Sequence, residues 1–338
     1  MITSLGNGPL VHTAVAARLE EPITVGTNLL YCATFQLAWN ELRAELGGAV
    51  RLQGDPPLAR ALEQEGPSTE DLDADSYVAG GGVGSSFLTK LDRVLRQKFA
   101  DRDDFMLPDR LDPGAILAYA YLSKDLVFDT PFAFNRDVGM LFRRANRVAY
   151  FGVWAEGDDT LRGKRAEQVT VHHVADDGTF VLELLTKAQD DRLIIARVPQ
   201  GPTLLATVDA TMALANQRRG LWARVRSTTE LGKLDVVRIP LINVDLVRAF
   251  VEVAGLKLVG RDQFIQEAKQ RIRFKLDEKG AILRSAGVIV APRGGRRGRH
   301  YVCDESFLVV MIRKERRYPY FALWVEDPEL LVPVPARS

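Results

Sequence analysis

A change of hydrophobic period near Asn135 narrows the possible folds more than any other feature of the chain. Beyond it, short apolar runs follow one another between glycine or polar turns: RVAYFGVW (147–154), QVTVHHV (168–174), TFVLELL (179–185) and RLIIARV (192–198). Runs of that length, rich in β-branched and aromatic residues, read as strands. The last third repeats the pattern with IRFKLD, VIVA, SFLVVMI and YFALWVE. Before Asn135 the spacing is helical. Residues 10–20 predict a helix ended by Pro22. Asn28 to Leu46 predicts a long amphipathic one, with Leu30, Leu37, Leu42 and Leu46 on one face and Gly47-Gly48 as its stop. Residues 87–99 and 111–124 fit helices too, as do 203–216 and 245–255. Helices first and sheets later, without a linker or internal repeat, make an α+β chain of one domain over 1–338. It divides into a helix-rich part, 1–134, and a sheet-rich part, 135–338.

Ordinary globular composition, 46% hydrophobic and 26% charged, excludes a disordered chain. No apolar run approaches the ~18 residues of a membrane span. Residues 1–20 lack the charged start, apolar run and cleavage site of a signal peptide, so the expected location is cytoplasmic, or extracellular if the N-terminus is trimmed. Cys32 and Cys303 cannot build a disulfide framework, and no base adjoins either, so both read as buried thiols.

Few residues suggest chemistry. The run Gly80 to Gly84 lacks the Gly-Lys-Ser/Thr ending of a phosphate-binding loop, and reads as a loop whose Ser85 or Ser86 caps the next helix. His172 and His173 are neighbours on a predicted strand and point to opposite faces, which excludes a shared metal. Asp158-Asp159 and Asp176-Asp177 adjoin glycines as turn residues do. No nucleophile elbow is present. No enzymatic activity, cofactor or metal is expected.

The net charge of +1 conceals one basic stretch. Residues 282–317 hold nine Lys/Arg against three Asp/Glu. Within it, GAILRSAGVIVAPRGGRRGRH (280–300) passes from small, β-prone residues to a glycine- and arginine-rich tail that buries little apolar area.

Three islands in this order resemble the serpins. Asp277-Glu278-Lys279-Gly280 is similar to the hinge that opens the serpin reactive loop, and SFLVVMIRKERRYPYFALWVEDP to the closing strand pair, ending at Pro328. Asn146 to Trp154 matches the spacing Asn-x-x-x-aromatic-x-Gly-x-Trp, and Asn28-Leu-Leu-Tyr the start of the buried central helix. The resemblance implies three sheets, eight or nine helices and an exposed reactive loop at 281–300. It also implies a suicide mechanism: a protease cuts the loop, and the severed loop enters the main sheet as a new strand. Ala281, Leu283, Ser285, Gly287 and Ile289 would face inward, and Leu283 is large for that place. Glu278, Lys279 and Gly280 form the hinge. Gln270 stands where a histidine is expected, able to bond Asn146, while Trp154 is retained where insertion would begin.

Counting places the bait at Gly294, with Arg293 one residue before. Arg293 suits a trypsin-like protease, and Arg296 or Arg297 a dibasic-cutting one. The expected partner is therefore a protease and the expected state a monomer. Two alternatives stand beside it. One is a non-inhibitory binding module, suggested by the ILRSA hinge. The other is a polyanion site formed by Arg293, Arg296, Arg297 and Arg299 with Arg313, Lys314, Arg316 and Arg317.

Overall fold

The computed structural model describes residues 2–4, 10–102, 105–125, 127–155, 158–217, 230–279 and 298–334. In chain order it begins with β1 (Ile2–Ser4), β2 (Thr13–Ala16) and β3 (Asn28–Cys32), then α1 (Thr34–Leu46) and α2 (Pro57–Leu62). Next come β4 (Tyr77–Val83), α3 (Gly84–Lys98), β5 (Ala115–Asp125), β6 (Ala133–Phe142), β7 (Asn146–Val153) and α4 (Asp159–Ala166). β8 (Val169–Val174), β9 (Phe180–Leu184), β10 (Asp191–Arg197) and α5 (Leu204–Asn216) follow. The chain closes with β11 (Val236–Pro240), β12 (Ile242–Ala249), β13 (Phe264–Leu276), β14 (His300–Val302), β15 (Phe307–Arg313) and β16 (Phe321–Val325).

Three sheets form. The main one runs β1-β12-β13-β5-β4, the second β2-β3-β16-β15-β10-β9-β8, and the third β14-β11-β7-β6. The α+β expectation with three sheets stands. Five α-helices occur among the described residues, fewer than the eight or nine expected.

The predicted strands after Asn135 form at their places, except VIVA (288–291), which lies outside the described residues, and so does the helix at 204–216, whose Thr203 side chain accepts from Ala206 N–H. The differences lie mostly in the first part, which holds α1 to α3 and also supplies β1 to β5. Residues 28–32 are a strand, not the start of a helix, and 10–20 contain β2. Likewise 111–124 falls mainly in β5, and 245–249 belongs to β12. One cause is common to β3 and β5. Asn28–Cys32 is buried at every position, and Ala115–Leu122 likewise. A strand covered on both faces loses its two-residue alternation, and its apolar run then imitates a helix.

The glycine run is a strand for a different reason. A Cβ on Gly81 would lie 2.7 Å from the backbone of Leu42 in α1, and one on Gly82 would strike the Phe87 ring of α3. The bare residues let two helices close on β4 from opposite sides. Val83 occupies the position before α3 and makes no side-chain cap, so neither Ser85 nor Ser86 plays that role.

These helices explain why β5 is buried twice. Beneath the main sheet, Phe35, Trp39 and Leu42 of α1 pack on Ile116, Ala118 and Ile265, and the Phe35 and Phe250 rings stack 3.6 Å apart. Above it, Leu91 and Leu95 of α3 join Phe99 and Phe105 over Leu117, Tyr119 and Tyr121. Farther along, Leu122, Ile272 and Phe274 enter the largest core, which the other two sheets share. Each buried side chain of this size contributes roughly 1.5–3 kcal/mol.

Candidate functional site: the parallel seam and its hinge

Within the main sheet, β1–β12, β12–β13 and β5–β4 are antiparallel, and β13–β5 is parallel. The parallel register runs from Phe264 opposite Ala115 to Lys275 opposite Asp125, with one irregularity between Ile265 and Glu267. No strand lies between the two. A chain that left the end of β13, turned and came back would run antiparallel to β13, and therefore to β5 as well. Such a strand would exchange one parallel contact for two antiparallel ones, which pair slightly better per residue. Among the described strand pairs of this sheet, the seam is thus the one between which direction favours an inserted strand.

The residues that leave β13 are held in place. Glu278 and Asp277 are almost wholly buried. The Glu278 carbonyl accepts from Phe132 N–H at 2.7 Å, and the Lys279 carbonyl from Phe128 N–H at 3.2 Å. The Glu278 carboxylate meets the Arg136 guanidinium at 2.9 Å, and Asp277 pairs with Lys275 at 2.6 Å while accepting from Lys279 N–H. The segment following β5 therefore clamps the segment following β13. Phe128, Phe132 and Arg136 carry no signature in the sequence that would have found them.

Gly280, Ala281, Leu283, Ser285, Arg293, Gly294, Arg296 and Arg297 lie outside the described residues. On the far side, Arg299 N–H donates to Asp235 at 2.8 Å and its carbonyl accepts from Val236 N–H, after which β14 pairs parallel to β11. The two ends of the 280–297 segment are thus anchored in different sheets.

Gln270 is fully buried, but its amide donates to the Cys32 carbonyl and the Thr34 hydroxyl, both at 2.9 Å, and not to Asn146. Its carbonyl oxygen has no partner among the described residues. Asn146 is exposed at the start of β7, opposite Phe142 in the third sheet, so the expected bond does not form. Trp154, just past the other end of β7, is buried with its ring 5.2 Å from Tyr150. Gln270 instead joins β13 to the junction of β3 and α1.

The wider basic stretch lies on two elements. Arg299 precedes β14, whereas Arg313 ends β15 and Lys314 to Arg317 follow it. There Arg316 pairs with Glu70 at 2.6 Å, Arg313 donates to the Leu72 carbonyl, and Arg317 lies over the Tyr318 ring.

Other candidates keep their plain roles. Asp158 caps α4 through Thr160 and Leu161, and Asp177 accepts from Thr179 N–H. His172 lies 2.7 Å from Glu183, and no grouping of His, Cys, Asp and Glu suited to a metal occurs among the described residues. Both cysteines are free and buried.

Lys124 is a further residue the sequence reading passed over. It sits in β5 beside the seam, buried, with its ammonium 2.7 Å from Asp191 and 3.1 Å from Asp73. Its signal was available, since a lysine inside an otherwise apolar run is a charge in need of a partner.

No protein-family model matches the chain, and no curated protein does. Solved structures do. A serine protease inhibitor (serpin-12) from Manduca sexta matches with a TM-score of 0.54 and 10% identity, covering 90% of this chain and 94% of that one. This chain has a serpin-like fold. Serpins from Schistosoma haematobium and Tenebrio molitor also match, with TM-scores of 0.49 and 0.46. Identities are 12% and 13%, and each alignment covers 88–89% of this chain and 91–94% of the other. The likeness concerns fold alone.

Proposed function

We propose that this chain is a protease-binding protein of the serpin type, presenting residues 281–300 as a bait. In this reading a protease that cuts the loop is held as its acyl-enzyme while the severed loop becomes a strand between β13 and β5. The observation that carries the reading is the closed parallel seam, which ends directly at the clamped Asp277-Glu278-Lys279 segment. An added strand there would gain two antiparallel partners, so the unfilled sheet holds free energy that cleavage can release. Ala281, Ser285 and Gly287 are small enough for the inward positions. Arg293, or Arg296 with Arg297, supplies a guanidinium that an acidic specificity pocket reads.

A second reading, a binding module that does not trap its partner, is favoured by specific residues. Leu283 would overfill an inward position, at about 1–3 kcal/mol. The ion pair of Lys124 and Asp191 also ties β5 to the second sheet and resists opening.

Incubation with trypsin and with a dibasic-cutting protease separates the two. The inhibitor reading expects an SDS-stable complex of summed mass and a large rise in melting temperature after loop cleavage. Cleavage with neither outcome removes that reading and leaves the binding module.

A further inference from the structure

β4 is the last strand of the main sheet, and among the described residues nothing pairs with its outer edge. Lys98 covers its start, donating to the carbonyls of Ala74 and Tyr77. Beyond that point Val78 to Gly81 run along the floor of a cleft of about 380 Å³ between α1 and α3. Free strand edges are usually covered, charged or bulged, because they template pairing with another chain. Here Gly80 and Gly81 are buried between Phe87 and Leu42, and offer the cleft only backbone.

The two walls differ in chemistry. On the α1 side stand Glu41, Ala44 and Glu45, all exposed. Glu41 and Glu45 are one turn apart on α1, a like-charge pair that disfavours the helix unless a cation lies between them. Neither carboxylate has a cation bonded to it among the described residues. On the α3 side stand Phe87, Leu91 and Val94, with Val94 36% exposed.

We propose that this cleft takes an extended peptide of a partner protein as a sixth strand of the main sheet, with basic side chains directed to α1 and apolar ones to α3. Alternate residues of a strand point to opposite faces, so a strand paired with β4 must offer one set to each wall. The β4 backbone supplies affinity by pairing, and the two walls supply sequence preference. Glu41 and Glu45 require Lys or Arg on one face of the peptide, and Phe87, Leu91 and Val94 require aliphatic residues on the other. Lys90, beside the apolar wall, repels a basic residue placed on that face and so fixes which face is which. The site is built from α1, β4 and α3 and does not depend on cleavage at 281–300.

The test titrates the full chain with a capped octapeptide of alternating valine and lysine. Its controls are the valine–glutamate peptide and the valine–lysine peptide with alternate amides N-methylated. Saturable one-to-one binding of the first is expected, with each control at least roughly tenfold weaker. Glu41→Lys with Glu45→Lys should reverse the preference toward the glutamate peptide, and Ala44→Trp, on an exposed face, should block both. Circular dichroism of each variant confirms that it is folded. Absence of binding, equal binding of the N-methylated peptide, or an unchanged preference in the charge-reversed chain overturns the proposal. Self-association of the chain that Ala44→Trp abolishes also overturns it, because the edge would then belong to a second copy.

Discussion

The ammonium of Lys124 and the carboxylate of Asp191 meet at 2.7 Å with both side chains less than a tenth exposed, and this contact pins β5 of the main sheet to β10 of the second. The Tyr320 ring lies 5.8 Å from the same ammonium, and burial together with the Asp191 charge holds its hydroxyl well above the usual tyrosine range. A buried pair costs little to replace as a unit and much to break. Lys124→Met should therefore destabilise by about 3–5 kcal/mol in urea unfolding, whereas Lys124→Met with Asp191→Leu should recover most of the loss. A single variant as stable as the double one contradicts the pairing. Because a strand can enter the seam only if β5 moves, the double variant should also admit one faster.

The clamp on the hinge leads to a separate expectation. Glu278 is buried and its carboxylate meets Arg136, whose side chain is nearly half exposed. Arg136→Met leaves that carboxylate without its cation, and should cost about 1–3 kcal/mol. Hydrogen exchange at Phe128, Phe132 and Lys279 should quicken, while amides of β8 and β9 keep their protection. Uniform quickening across the chain would assign Arg136 a general role and not one at the hinge.

What could be read from residues alone divides along a physical line. β8 alternates between covered and open faces and declares itself, while β7 and β9, buried along most or all of their length, are marked by the turns at both ends. β3 and β5 are covered on both faces and imitate helices, and β4 was stripped of side chains until it looked like a loop. Motifs survived where backbone geometry demands one residue type, as at Gly152. The seam was legible only through resemblance to the serpins, because a parallel contact between residues some 150 positions apart leaves no local trace. The clamp was not legible at all. Phe128, Phe132 and Arg136 act largely through backbone groups and a single ion pair, with no pattern around them.

Acid should weaken the chain partly through Glu183. Burial alone would raise its pKa, but hydrogen bonds and charge from His172 and Arg192 outweigh that and hold it below the usual carboxylate range. A folded-state pKa below the unfolded one stabilises the fold above the unfolded value, near 4.5, and that contribution is lost as pH falls through the depressed one. Glu183→Gln should thus lower stability at neutral pH and flatten its decline below about pH 4.5. An unchanged acid slope in the variant would remove Glu183 from the account.

The thiols should be silent in the native chain. Burial pushes Cys32 up to about 11, against a smaller opposing effect of Thr34, and burial with the Asp304 charge raises Cys303 further. Thiolate is the reactive form, so a disulfide reagent at pH 8 should find no group until the chain unfolds, and two groups afterwards. Rapid native reaction at either position would show that its surroundings open.

Gly152 provides the sharpest test of a motif. Its φ of +150° is a conformation L side chains rarely adopt, and an added Cβ would fall 2.1 Å from the Val237 carbonyl oxygen across the β7–β11 pair. Gly152→Ala should therefore cost about 3 kcal/mol or more, from backbone strain and from separation of the two strands. Gly48→Ala is the control, since nothing lies within 4 Å of its added Cβ, and it should change stability by no more than about 0.5 kcal/mol. Comparable unfolding midpoints for the two variants would mean that the third sheet accommodates a side chain at this crossing. The Asn-x-x-x-aromatic-x-Gly-x-Trp spacing would then have to be explained by Trp154, buried against Tyr150, instead of by the close approach of two backbones.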